Sequence, residues 1–165
     1  MNAALQAMAA YFSTVAQVSG GLLGLVFVAI SFNTKVLGEN GNPALRDLAR
    51  QTFADFLVVL MVSLFGLFPV GVDLPMGMLL IGIALTGTAR IVRGFVLSVR
   101  AGERRPTVLN RFGLSLLGHA GLFAAGVVGF HSDLDVPQFQ TFLLAATLIL
   151  LIAGSRSAWI LFVHE

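Results

Sequence analysis

The chain has 165 residues, 57% of them hydrophobic and 11% charged, with ten Lys and Arg against eight Asp and Glu and no cysteine. A soluble domain carries roughly a quarter charged residues, so this composition, with a mean hydropathy of +0.92, excludes an ordinary water-soluble globule and points to lipid as the solvent. The missing cysteines exclude disulfides, thiolate metal sites and thiol catalysis.

A spanning helix needs about 20 mostly apolar residues. Met1–Thr34 holds no Asp, Glu, Lys or Arg and is expected to supply a first helix over about residues 9–32. Met1–Phe12 lacks the basic start of a signal peptide and the apolar run is too long for one, so the segment is read as a span and not as a cleaved leader. Ala16, Gly20 and Gly24 stand at four-residue spacing on it, beside Ser13 and Gly21, while Gln17, Ser19, Ser31 and Asn33 are its polar groups. The polar groups are expected to act as interhelical glue.

The connection Asn33–Arg50 carries Lys35, Arg46 and Arg50. A second helix, about 51–70, reaches spanning length by including Asp55, and a third, about 76–99, by including Arg90, with Arg93 beyond it. Arg100, Arg104, Arg105 and Arg111 form a basic loop before a fourth helix, about 112–130, which contains His119 and the small residues Gly113, Gly121, Ala125 and Gly129. A fifth, about 140–163, carries Ala146, Gly154, Arg156 and Ala158. Asp73-Leu74-Pro75 and Asp135-Val136-Pro137 are similar corners before the third and fifth helices, an acid to cap and a proline tolerated in a first turn. With Arg90 and Arg156 downstream they suggest a parallel repeat of a helical hairpin, though chance resemblance is the simpler account.

These readings define an all-α integral membrane five-helix bundle, a single transmembrane domain over 1–165. The first and third connections hold the seven basic residues named above, whereas the second and fourth hold Asp73, Asp133 and Asp135 and no Lys or Arg. By the excess of basic residues in cytoplasmic loops, the N-terminus faces out and the C-terminus faces the cytoplasm. Asp55, Arg90, Arg93, His119 and Arg156 then all fall in the cytoplasmic half of the bilayer.

A charge at span centre costs about 2.5–3.5 kcal/mol on insertion scales, which makes every intramembrane ionisable group a functional candidate. Taken singly, the arginines can snorkel to the interface and Asp55 can lock two helices by pairing with Arg90 or Arg93. Taken together, they form one basic pocket for an anionic lipid headgroup, a permeating anion or an acidic partner segment, reinforced by the basic loop. His119 is expected to hydrogen-bond a neighbouring helix, with a proton relay to Asp55 as the sharper alternative. Two arginines near an interface are too few for a voltage sensor.

Small residues at four-residue spacing let helices approach closely in lipid. Ala16, Gly20, Gly24, Gly121, Ala125 and Gly129 are therefore expected to pack within the monomer, with a homo-oligomeric seam on the first or fourth helix as the alternative. The fourteen phenylalanines are expected to face lipid or fill gaps, and Tyr11 and Trp159 to anchor at the interfaces. No HExxH, paired metal-binding histidines, Gly-rich phosphate loop or GxSxG occurs. No catalytic, metal or cofactor site is expected beyond bound anionic lipid, and no basic run or aromatic platform suits nucleic acid.

The stretch Thr14-Val-Ala-Gln-Val-Ser-Gly-Gly-Leu-Leu-Gly-Leu-Val-Phe-Val-Ala-Ile-Ser-Phe-Asn33 resembles the first helix of small uncharacterised bacterial multi-pass membrane proteins, some described as modulators of a membrane-bound protease. Arg50 through Pro69 fits their second helix, so the resemblance covers about the first third of the chain. It implies a bacterial inner membrane and assigns no functional residue. The resulting expectation is a non-catalytic accessory, assembly or regulatory protein, working through helix packing and a basic cytoplasmic face, as a homo-oligomer or in a larger membrane complex. The alternative is a small oligomeric channel or transporter with Arg90, Arg93 and Arg156 lining a cytoplasmic vestibule.

Overall fold

A computed structural model describes residues 3–32, 43–67, 76–100, 102, 105–130 and 136–163. These form five helices: α1 (Ala3–Phe32), α2 (Pro43–Gly66), α3 (Met76–Arg100), α4 (Arg105–Phe130) and α5 (Val136–Val163). Each contains a stretch long and apolar enough to cross a bilayer: Gln6–Ser31, Arg46–Gly66, Met76–Arg100, Phe112–Phe130 and Gln138–Ile160. Leu25, Phe27, Met78, Phe130 and Ile152 are all more than half exposed, which suits hydrocarbon and not water. Phenylalanine divides as expected, with Phe12, Phe56 and Phe112 buried, and Trp159 is 70% exposed near the end of α5.

The expected spans agree with these stretches to within a few residues except the second, which runs Arg46–Gly66 and not over about 51–70, and several helices begin ahead of their spans. α2 begins at Pro43, ahead of Gln51, and α4 at Arg105, ahead of Phe112. Hydropathy measures the thickness of the apolar slab, whereas the helix continues through good formers such as Ala44, Leu45, Leu48 and Ala49. Proline marks these starts, with Pro43 first in α2 and Pro106 and Pro137 second in α4 and α5. A first turn needs no N–H from those positions. The basic loop is therefore mostly helix: Arg100 closes α3, Arg105 opens α4 and Arg111 lies within it. Gly102 ends α3 in the left-handed region (φ 86°) and donates its N–H to the Val99 carbonyl at 3.1 Å. Asn33, Lys35, the corner acids Asp73, Asp133 and Asp135, and Arg104 lie outside the described residues.

The chain divides into two compact units, one built on α1 and α2 with the residues from Ala158 onward, the other running from Pro75 to Ser157. In the first unit α1 and α2 are antiparallel. Phe12 lies under Gly66, where a Cβ would stand 2.7 Å from its ring, and Gly20 faces Leu60. Gly21 and Gly24, by contrast, have nothing within 4 Å of where a Cβ would be. The small-residue face of α1 is thus used only along one edge inside the unit.

In the second unit α3 presents Gly77, Leu80, Ala84, Gly87 and Ile91 as its buried line, alternating three and four residues apart as one helix face requires. Gly77 meets α4 backbone to backbone: a Cβ there would lie 2.7 Å from the Gly126 carbonyl oxygen and 2.8 Å from the Phe130 nitrogen. Farther along, Ile91 packs with Val108 and Phe112. α5 covers another side of α4, Leu150 over Gly118, Ala146 over Gly121 and Phe139 over Gly129. Ala125 is completely buried. Gly118, Gly121, Gly126 and Gly129 of α4 are thus taken up by packing within this unit, while Gly113 has nothing within 4 Å of where a Cβ would be.

Candidate functional site

Asp55, in the third turn of the span Arg46–Gly66, is fully buried on α2. Gln51, one turn earlier and 5% exposed, donates its amide Nε2–H to Asp55 Oδ1 at 2.9 Å. Thr52, also fully buried, returns its hydroxyl to the Leu48 carbonyl at 2.8 Å. Helical i,i+4 spacing brings Gln51 onto the carboxylate, so part of what holds Asp55 is supplied by its own helix.

Polar groups of the α1 span behave alike. Gln17 reaches Ser13 Oγ at 3.4 Å, Ser19 donates to the Ala16 carbonyl at 3.1 Å and Ser31 to the Phe27 carbonyl at 2.8 Å. The expectation that Gln17, Ser19 and Ser31 link helices is corrected: these bonds lie within α1, because a side chain one turn on can reach back to its own helix.

His119 is fully buried in α4. Its Nδ1 lies 2.8 Å from the Ser115 carbonyl oxygen of the same helix. A carbonyl only accepts, so Nδ1 carries the proton and, in the neutral ring, Nε2 carries the lone pair. The ring is pressed against α3 at Gly87, where a Cβ would overlap Cδ2 and Nε2. The neighbouring helix therefore receives the imidazole in a glycine notch, and the bond to Ser115 fixes the ring's orientation there.

Arg93 lies on the side of α3 opposite its buried line and Arg90 on the flank of that line. Both are exposed, one turn apart, and turned from the buried line that meets α4. Within the second unit neither has a hydrogen bond or ion pair among the described residues. Arg93 is about 10 Å and Arg90 about 15 Å along the helix from Arg100, at 1.5 Å per residue. Cβ atoms tilt toward the helix N-terminus, so these side chains start out leaning away from the Arg100 end and lose snorkelling reach. Arg156, also exposed, donates from Nη2 to Asn110 Oδ1 at 3.0 Å and ties α5 to α4. Among the described residues of the second unit the three arginines share no partner.

Three residues beside these groups escaped the sequence reading. Gln51 was readable from its i,i+4 spacing to Asp55. Asn110 was visible as a polar residue beside the span, but its pairing with Arg156, on another helix, was not. Gly87 gave no signal, being one glycine among 18. Among the described residues no group of three His, Asp or Glu stands where it could hold a metal ion. The fold and site define a helical protein with five candidate membrane spans and an arginine pair exposed on one of them. Compared with protein-family models, with curated proteins and with solved structures, the chain matches none.

Proposed function

We propose that this chain is a non-catalytic accessory, assembly or regulatory protein of a bacterial inner membrane, docking through α3 on a partner helix that brings a carboxylate. The observation that carries this reading is the Arg90–Arg93 pair, exposed inside the span Met76–Arg100 and outside the buried line that meets α4. Two charges at that depth call for countercharge. A second copy of the chain offers little, because of its in-span acids Asp55 is fully buried and Asp47 sits at the extreme end of α2's span. The open glycine edge of α1, at Gly21 and Gly24, adds a second close-packing face for a complex.

Charge reversal tests the docking face. Arg90→Glu/Arg93→Glu should keep the wild-type helix content and melting temperature and drop out of the complex captured from native membranes. Retention of the same partner by the reversed variant would remove α3 from the interface.

The orientation belongs to the same proposal, N-terminus out and C-terminus in the cytoplasm, supported by the basic residues of the first and third connections. The chain has no cysteine, so single cysteines report cleanly. In intact cells Asp133→Cys should react with a membrane-impermeant thiol reagent, and Glu103→Cys only after permeabilisation. The reverse pattern would invert the topology.

A further inference from the structure

The face of α3 turned from its buried line has a floor of small residues with a charge at one end. Gly82, Thr86, Ala89 and Arg93 follow one another at four, three and four residues, the spacing of one helix face, and all four are exposed. Nothing lies within 4 Å of where a Cβ on Gly82 would be. Thr86 returns its hydroxyl to the Gly82 and Ile83 carbonyls at 2.9 and 3.0 Å, so it asks no neighbour for a hydrogen bond. Leu85 and Val92, 55% and 49% exposed, rise along one side of this floor, and Arg90 stands on the other.

An apolar face in lipid suits an acyl chain or a helix, and the charge chooses between them. Arg100 closes the span, and Arg93 stands about 10 Å inside it at 1.5 Å per residue. That is deeper than headgroup phosphates sit, since the polar zone of a bilayer is only about 5–8 Å thick on each side. A carboxylate on a spanning helix arrives at that depth as part of its own span. Small residues let two helices approach closely in lipid, so one helix meets both features of this face at once.

We propose, resting on the docking through α3 given above, that the partner helix crosses at Gly82–Ala89 through a small residue of its own and carries its Asp or Glu about seven residues from that point, opposite Arg93. The offset follows from α3 itself, because Thr86, at the middle of the floor, is seven residues and about 10 Å from Arg93. Helices in membranes cross at about 20–40°, so over that length their axes move apart by about 4–7 Å. The long arginine stem spans such a gap.

The probe is a leucine-rich spanning peptide with one glycine at its centre and one glutamate seven residues away. It is titrated against the full chain in phosphatidylcholine vesicles, with energy transfer between fluorophores on the two as the readout. It should bind about tenfold tighter than the same peptide with glutamine for glutamate, with leucine for glycine, or with the glutamate moved to three residues from the glycine. Arg93→Gln should abolish the preference for glutamate. Gly82→Leu should bind the glycine and leucine peptides alike and keep the preference for glutamate; Ala89→Leu should do the same, and decides if Gly82→Leu fails to fold. No preference for glutamate in the wild-type chain would sink the docking reading and the offset with it. A preference for glutamate that ignores the glycine, its distance and Gly82→Leu would leave the docking standing and overturn the offset. Displacement of the peptide by equimolar unlabelled chain would make the occupant a second copy, and displacement by equimolar phosphatidylglycerol would make it a lipid; either overturns the proposal.

Discussion

Gly77→Leu should separate α3 from α4 and cost about 3 kcal/mol, the upper part of the usual range for overpacking. What stands in the way is backbone: the Gly126 carbonyl oxygen at 2.7 Å and the Phe130 nitrogen at 2.8 Å from the new Cβ. No rotamer change clears main-chain atoms, so the helices themselves must part. Gly82, on the same helix, is the control. It is exposed with nothing within 4 Å, and Gly82→Leu should stay within about 0.5 kcal/mol of wild type. Thermal unfolding in detergent reads both. Equal midpoints for the two variants would show that the glycine contact does not hold the helices together.

Gly87→Ala should cost about 2 kcal/mol through a different mechanism, because its methyl group would overlap the buried imidazole of His119. The ring cannot swing aside without losing the 2.8 Å bond from Nδ1 to the Ser115 carbonyl. His119→Ala removes the obstacle, so Gly87→Ala should be almost free in that background. The cycle should give a coupling of about 1–2 kcal/mol, within the span seen for contacting residues. Strict additivity would mean that the notch is loose and that His119 is held by other neighbours.

Five helices of spanning length were legible because three charge-free runs meet that length outright and two more reach it by taking in Asp55 or Arg90. Their ends were not, since the turns around Arg46, Arg50, Arg105 and Arg111 are polar enough to look like loop while remaining helical. On α4, Gly121 and Gly129 meet α5 and Ala125 is buried, whereas Gly113 is open. The same pattern on α1 divides, with Gly20 near Leu60 and Gly24 open, because spacing places residues on a face without saying what covers it.

The charge cluster was the hardest part to read. Position along a helix follows from counting residues. Direction around the helix depends on which face meets the neighbour. The line Gly77, Leu80, Ala84, Gly87, Ile91 decides that, and it turns Arg93 away from α4 and leaves Arg90 on the flank, while Arg156 is taken up by Asn110. The long-range pairings, Gly87 with His119 and Arg156 with Asn110, depend on helix register, which no local pattern encodes.

The account stands or falls on whether the exposed arginine face of α3 meets a foreign helix. The most direct measurement is the intact mass and composition of the complex that the wild-type chain carries from native membranes in mild detergent. The account predicts a stoichiometric second polypeptide with an acidic residue in one of its membrane spans. A clean homo-oligomer that carries anions when reconstituted in lipid vesicles would contradict it and make the chain a channel.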